Sequence, residues 1–372
     1  MRARFPVDRV FFLIVVALVT GGFFIFSSAS LGLLARDGAQ YSSVAFSQLF
    51  FGIGGGTIAL FILSTVNYRT YRPIALYLFI GSLILTLCVF IPGFGFEYGG
   101  ARRWLSLFGF SFQPSELLKI TSVIFVAAWL SNARAQLTDF KSGLIPFVGI
   151  LAVIAVALLA QPDTDTFVVI ALACGAMYLA AGAPWRDILI MGTGLLVAVA
   201  LLAFMRPYVM DRMLTFLDPA ADPLGSGYQI QQSLIAIGSG GIAGRGFGQS
   251  IQKFNYLPEP IGDSVFSVAA EEFGFIGSAI IVLAFSAFAI RGLKIASRTS
   301  DYFGGLLCVG SVILVVAQSF MNIASMVGII PLSGMPRLFI SHGGSALMIT
   351  LAAMGIVLNV SKHRKTTAAL PA

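Results

Sequence analysis

Ten apolar runs, each long enough or nearly long enough to cross a bilayer, dictate what this chain can become. A membrane-crossing helix needs roughly 20 predominantly apolar residues. The runs are Val10–Ser28, Phe46–Val66, Ile74–Ile91, Ser115–Leu130, Leu144–Leu159, Thr166–Ala181, Ile188–Phe204, Ser264–Ile290, Gly304–Met326 and Leu338–Leu358. The fourth, fifth and sixth are the shortest and accommodate tilt, re-entry or extension by their flanks. Only 10% of the residues are charged, against roughly 25% in soluble domains. The sequence therefore predicts an all-α polytopic membrane protein of about ten transmembrane helices, with 1–372 forming one integral-membrane domain. Cys88, Cys174 and Cys308 sit inside apolar runs without paired spacing, which suits buried packing rather than a disulfide or a metal site.

Charge orients the runs. Arg2, Arg4, Arg9, Arg69, Arg72, Arg134, Lys141, Arg186, Arg291, Lys294, Arg298, Lys362, Arg364 and Lys365, 14 of the 23 basic residues, fall on one side. The positive-inside rule makes that side cytoplasmic and puts both termini there, with 362–372 a short cytoplasmic tail. The N-terminal run is too long for a signal-peptide core and reads as an uncleaved first span. The topology accounts for the net charge of +7, so no nucleic-acid partner is called for. Twelve of the sixteen acids, all but Asp8, Asp139, Asp187 and Asp301, lie in outer loops or at outer helix ends. Acids contribute little to orientation, so their asymmetry points to a functional outer face.

Two extracytoplasmic loops are substantial, Pro92–Pro114 and Pro207–Gly262, the second between the seventh and eighth spans. Loops of that length in a compact domain are usually functional or disordered. The second interleaves glycines with aliphatic residues, and Ile230, Leu234 and Ile237 fall at helical spacing, which predicts an interfacial amphipathic helix over Gln229–Ile237. At its end, Tyr256-Leu-Pro-Glu-Pro-Ile-Gly-Asp263 delivers a carboxylate to the lip of an apolar helix that also carries Glu271 and Glu272. Carboxylates are costly there and mark chemistry or ion handling.

Four outer segments stand out: Gly100-Ala-Arg-Arg-Trp104; Phe112-Gln-Pro-Ser-Glu-Leu-Leu-Lys119; Asp218 through Gly246, with Asp218-Pro-Ala-Ala-Asp-Pro-Leu-Gly-Ser-Gly-Tyr-Gln229; and Tyr256–Phe273. In this order on ten spans, the chain resembles the SEDS family (shape, elongation, division and sporulation), which includes FtsW and RodA. The resemblance runs from Asp8-Arg9 to Phe339-Ile-Ser-His-Gly-Gly-Ser345. Ser27-Ser28-Ala29-Ser30 and Lys253-Phe-Asn-Tyr-Leu-Pro258 lean towards the division type, FtsW. It implies a peptidoglycan glycosyltransferase in the bacterial inner membrane. Such an enzyme polymerises lipid II onto a lipid-linked nascent glycan at the outer leaflet, beside a class B penicillin-binding protein and other division or elongation proteins.

The residues fit that chemistry. A sugar hydroxyl attacks an anomeric carbon carrying a lipid pyrophosphate, which leaves well once its charge is neutralised. One general base and a cationic clamp suffice, and the reaction admits a divalent cation such as Mg²⁺ or Mn²⁺, which the sequence does not show. Asp263 holds the family's catalytic position, though Asp before Ser-Val-Phe also reads as a helix N-cap. Arg103, Arg102, Lys119 and Arg245 are candidates for the pyrophosphate; basic residues at an interface also snorkel. Glu116 and Lys119, at i,i+3, read either as a structural ion pair or as a cavity wall. Asp163 matches a family position, and Asp163-Thr-Asp165 has the form of a metal-binding DxD. On a helix starting at Asp263, Glu271 lies about 80° round and Glu272 about 180°. Glu271 is then a substrate-side candidate, and Glu272 pairs with a polar group on another helix.

The chain departs from the family pattern at four places. Ile261-Gly262 replaces His-Thr, His342 replaces Tyr, Thr164-Asp165 replaces an apolar-Gly pair, and Pro336-Arg-Leu-Phe339 replaces Pro-Leu-Pro-Phe. Two rivals share the gross features: a flippase for lipid-linked precursors, which calls for broken helices and repeated halves, and a non-catalytic divisome scaffold.

Overall fold

The computed structural model describes residues 6–36, 38–98, 101–107, 110–205, 207–225, 227–332, 339–340 and 343–363. His342, Pro336–Leu338 and the tail beyond 363 lie outside the described residues. The helices in order are α1 (Arg9–Arg36), α2 (Gly38–Phe46), α3 (Gly56–Thr65), α4 (Tyr71–Leu87), α5 (Pro114–Asn132), α6 (Ile145–Leu159), α7 (Thr164–Ala180), α8 (Trp185–Met205), α9 (Pro207–Leu217), α10 (Tyr228–Ser239), α11 (Val265–Arg298), α12 (Tyr302–Met326) and α13 (Gly344–Ser361). A π-helical stretch, Ser47–Gly55, joins α2 to α3. Eight helices among the described residues are long and apolar enough to cross a membrane. The chain is a polytopic membrane protein. Helices α7 and α8 stand where the sequence places the sixth and seventh spans, α7 having only 17 residues.

Polarity sorts the helices inside the bundle. Helices α5, α12 and α13 are its heart, with Leu118, Val126, Leu307, Met354 and Val357 fully buried. The same helices bury Glu116, Lys119, Gln318 and Asn322, because a polar side chain at membrane depth is tolerable only where it faces the bundle interior. Helix α13 packs on α3, where a Cβ on Gly355 would come within 2.5 Å of the Leu60 carbonyl, so only hydrogen lets the backbones meet. At the opposite end of the sequence, Arg291 on α11 donates from Nε and Nη2 to the two carboxylate oxygens of Asp8, at 3.0 and 2.8 Å, and the Asp8 N–H donates to Ser361 Oγ. Asp8 thus joins the residues before α1 to α11 through its buried carboxylate and to α13 through its backbone N–H.

Where the sequence predicts only a loop, 92–114 contains a small antiparallel sheet of β1 (Gly95–Tyr98), β2 (Ala101–Leu107) and β3 (Phe110–Phe112), with Phe96 opposite Trp104 and Leu105 opposite Phe112. Its period-2 alternation buries Leu105 and exposes Arg102. The expected amphipathic helix is α10. Its buried face is Ile230, Ser233 and Ala236, whereas Leu234 is exposed.

Helix α11 is not continuous. Gly274 takes φ +64° and ψ −160° inside it, which breaks the ladder and frees backbone groups that lipid cannot satisfy. The loop that precedes α11 fills the break. Arg245 and Gly246 donate their N–H groups to the carbonyls of Glu271 and Glu272 at 3.0 and 2.9 Å, while Phe275 and Ile276 donate to Gly241 and Ile242 at 2.9 and 3.2 Å. A Cβ on Gly274 would meet the backbone of Gly244, and the Ile242 carbonyl at 2.6 Å. Gly274→Ala is therefore expected to lose at least about 2 kcal/mol of stability and to open residues 240–253 to protease. Gly149→Ala, where an added methyl meets open space, should change neither thermal unfolding nor proteolysis.

Candidate active site

The docked loop is held by charge as well as by backbone. Glu271 Oε2 accepts from Ser250 Oγ at 2.6 Å and from the Gln252 N–H at 3.2 Å, and its Oε1 accepts from the Ile251 N–H at 3.1 Å. Arg245 Nε lies 3.5 Å from the same carboxylate and 3.4 Å from the Ser239 carbonyl. Next to it, the fully buried Lys253 donates from Nζ to Glu272 Oε1 and the Gly248 carbonyl at 2.8 Å, and to Ser28 Oγ at 3.0 Å. These three bonds use all three ammonium donors. Ser28 on α1 completes the cluster by donating to Glu272 at 2.5 Å. The expected pairing of Glu272 with another helix is thereby met through Ser28. Glu271 and Arg245, candidates for the substrate side, both bind the loop's own residues. Arg102 is over half exposed and among the described residues pairs with Glu97, at 3.4 Å, in a pair of the kind that contributes little.

This anchoring fixes the turn that carries Asp263. The N–H groups of Gly262 and Ser264 both donate to the Glu259 carbonyl, at 3.1 and 3.2 Å, and Glu259 itself adopts φ +46°. From α12, Asn322 Nδ2 donates to the Asp263 carbonyl at 2.8 Å. From α10, Gln229 Nε2 donates to Ser264 Oγ at 3.1 Å. Ser264, not Asp263, is the N-cap of α11, and no side chain caps the helix. The carboxylate is therefore not committed to capping, and none of the described residues forms a hydrogen bond to it.

Two further segments converge on this turn. Arg103, on β2, donates from Nε to the Gln161 carbonyl at 3.2 Å and from Nη2 to the Pro162 carbonyl, clamping the entry to α7. Asp163, buried in that entry, accepts from Ser115 Oγ at 3.2 Å, with Gln113 Nε2 at 3.5 Å; both belong to the Gln-Pro-Ser-Glu segment that starts α5. Asp165, in the first turn of α7, pairs with Arg212 of α9 at 3.1 Å. The two carboxylates of the DxD-like segment thus serve different partners. Among the described residues no three His, Cys, Asp or Glu side chains group so as to hold a metal ion, so the residues do not fit a divalent cation bound by protein ligands alone.

One α12 turn from Asn322, Gln318 Oε1 accepts from Lys119 Nζ at 2.7 Å, and Lys119 pairs with Glu116 at 2.8 Å. The pair is buried and also lines a cavity of about 20 Å³ with Ser311 and Thr350, room for about one water. Both readings of Glu116 and Lys119, ion pair and cavity wall, describe the same atoms.

The charges acting on Asp263 decide its chemistry. Burial chiefly, and then the carboxylates of Glu259 and Asp165, push its carboxyl up to about 7 against the opposing pull of Arg212 and Arg103. Glu259, Arg212, Asn322 and Lys253 were not singled out from the sequence. Glu259 and Lys253 lie in quoted motifs, whereas Arg212 shows itself only when α9 is folded beside α7.

The family of cell cycle proteins comprising FtsW, RodA and SpoVE matches residues 8–366. The chain belongs to that family. FtsW/RodA/SpoVE relatives include stage V sporulation protein E of Bacillus subtilis, 39% identical over 318 residues that cover 86% of this chain and 87% of the relative. They also include the probable peptidoglycan glycosyltransferase FtsW of Geobacter sulfurreducens, 37% identical over 361 residues and 96% of each chain. Among solved structures, a chain from work on the structural coordination of polymerization and crosslinking by a peptidoglycan synthase complex superposes with a TM-score of 0.79 at 28% identity, covering 96% of this chain and 98% of that one. The rod shape determining protein RodA of Thermus thermophilus gives 0.70 at 25% identity, covering 97% and 98%.

Because the Asp263 carboxyl sits near 7 rather than near the 3.9 of a free Asp, the folded chain binds that proton more tightly than the unfolded chain does. The stability it contributes is complete below about pH 4 and is lost as pH rises through about 7. Asp263→Asn should therefore unfold at a higher temperature than wild type above pH 7, with the gap closing as pH falls towards 4, measured by thermal unfolding in detergent.

Proposed function

We propose that this chain is a peptidoglycan glycosyltransferase that polymerises lipid II into glycan strands at the outer leaflet during cell division or elongation. Asp263 acts as the general base. The acceptor hydroxyl oxygen bonds to the anomeric carbon as the bond from that carbon to the lipid diphosphate breaks. The diphosphate keeps the bonding electrons, the proton passes to Asp263, and the anomeric centre inverts. A base must lie close to the operating pH to be half free of protons and still basic, and a carboxyl near 7 meets that condition. This uncapped carboxylate with a raised pKa at the mouth of α11 is the observation that carries the reading.

Arg103 and Lys119 supply positive charge for the departing diphosphate, Lys119 from its buried pair with Glu116, and Asp163 holds the entry to α7 through Ser115. We place ten spans in the bacterial inner membrane as a single domain over 1–372. In this arrangement both termini and the tail 362–372 are cytoplasmic, and the loops 92–114 and 207–262 lie outside. Its partners are lipid II, the lipid-linked nascent glycan, a class B penicillin-binding protein and other division or elongation proteins. The rival flippase draws support from the break in α11, since discontinuous helices build transporter sites. Here the freed groups are occupied by residues 241–246, which favours the break as a socket for the loop.

Lipid II polymerisation by purified protein, with and without its cognate class B penicillin-binding protein, tests the assignment. Asp263→Asn should lose at least 10²-fold in rate, and the wild-type rate should climb with pH to a plateau above about 7. An asparagine variant with the wild-type rate, or one deficient in lipid II flipping alone, would remove Asp263 as the base.

A further inference from the structure

Asp263 stands just ahead of Ser264, the N-cap of α11, whose carbonyl takes the N–H groups of Ser267 and Val268 at 3.0 and 3.4 Å. It lies ahead of those helical bonds, and its placement depends on bonds from neighbouring segments. Asn322 of α12 supplies one, from Nδ2 to the Asp263 carbonyl at 2.8 Å. Four residues earlier on the same helix, Gln318 Oε1 accepts from Lys119 Nζ at 2.7 Å. Residues four apart share a helix face, with Cβ atoms about 5–6 Å apart. Both amides are buried, and polar side chains inside a membrane span are costly and mark functional sites. One face of α12 thus grips the backbone of the base and the head of the cation.

Amides suit this use. The asparagine donates and the glutamine accepts, and neither carries a charge at any working pH. Neither therefore disturbs the proton affinity of a nearby carboxyl as an acid or a base would. In an inverting displacement the base lies on the acceptor side of the anomeric carbon and the cation on the leaving-group side. Their separation has to be kept to within about 0.5 Å, since a misplacement of about 1 Å can cost about 10²-fold in rate. We infer that Asn322 and Gln318 are positioning residues of the active site, and that α12 is the rigid spacer that sets the distance between Asp263 and Lys119. This rests on the glycosyltransferase reading and deepens it. Glu116 steadies Lys119 from its own helix at 2.8 Å, and Gln229 of α10 steadies the Asp263 turn through Ser264 Oγ at 3.1 Å. Each end of the spacer is braced by a second bond.

The test measures kcat per folded protein, KM for lipid II and the pH profile of polymerisation, using full-length protein with its class B penicillin-binding protein. Asn322→Ala should lower kcat at least about tenfold with KM held within about twofold. On an Asp263→Asn background the same substitution should change the residual rate by less than about twofold, because no base remains to be placed. An equal loss on both backgrounds marks general damage to the fold and overturns the proposal. Gln318→Ala should lower kcat as well, and the double Gln318→Ala, Asn322→Ala variant should lose less than the product of the two single losses. Freeing either end already lets the spacing drift; a loss equal to the full product overturns the spacer. Asn322→Asp keeps the size, cannot donate when ionised and adds an anion beside Asp263, on which Glu259, Asp165, Arg212 and Arg103 also act. It should lose kcat and move the acid limb of kcat/KM to higher pH. If Asn322→Ala yields no folded protein, a wild-type kcat with an unmoved acid limb in Asn322→Asp overturns the proposal. An Asp263→Asn variant as fast as wild type would sink the underlying reading of the reaction instead, whatever the α12 variants do.

Discussion

A helix broken at membrane depth must find partners for its freed amides and carbonyls, and in this protein everything around the site follows from how that demand is met. Gly274 interrupts α11, and four backbone bonds from residues 241–246 close the gap. That commits the loop before α11 to a single position. With 241–246 fixed, Glu271 and Glu272 lie where they can gather 250–253. With 250–253 fixed, the turn from Glu259 to Ser264 has a firm support. The order of dependence runs from a backbone conformation available to glycine to the orientation of a carboxylate.

Two kinds of charge are kept apart by this design. Glu271, Glu272, Lys253, Arg245, Asp8 and Arg291 are engaged in ion pairs and hydrogen bonds that hold segments together. Breaking one such buried pair is strongly destabilising because it strands the remaining charge. Asp263 is the contrasting case, a carboxylate with no described hydrogen bond, near two other acids and two arginines. Its ionisation is unfavourable for the fold and useful for removing a proton, and the structural pairs supply the stability that tolerates it.

The sequence discloses the apolar runs, the amphipathic helix α10 and the carboxylate at the start of α11, since each is written in local periodicity or in contiguous motifs. The break at Gly274 is not legible, because Phe273-Gly-Phe275 resembles any glycine in a membrane helix until the loop is seen in its socket. Glu271 illustrates a different limit. Its angle about the helix follows from its number, but the hydroxyl and amides that occupy it come from residues 250–252, about 20 positions earlier, and only tertiary structure brings them there. Arg212 is 47 residues from Asp165, and no local pattern links them. The small sheet was missed because its strands are short and carry the arginines that drew a chemical reading of that loop.

Lys253 has a consequence for biogenesis. Its ammonium is fully buried, with partners on α1 and α11, yet it leaves the ribosome before α11 does. An unpaired ammonium cannot be sealed in that position, so the loop stays outside its seat until the eighth apolar run has been inserted beside the first. The site is thus completed late, by the meeting of the earliest and nearly the last membrane segments, and a truncated chain ending before Glu272 would lack the counter-charge that seats the loop.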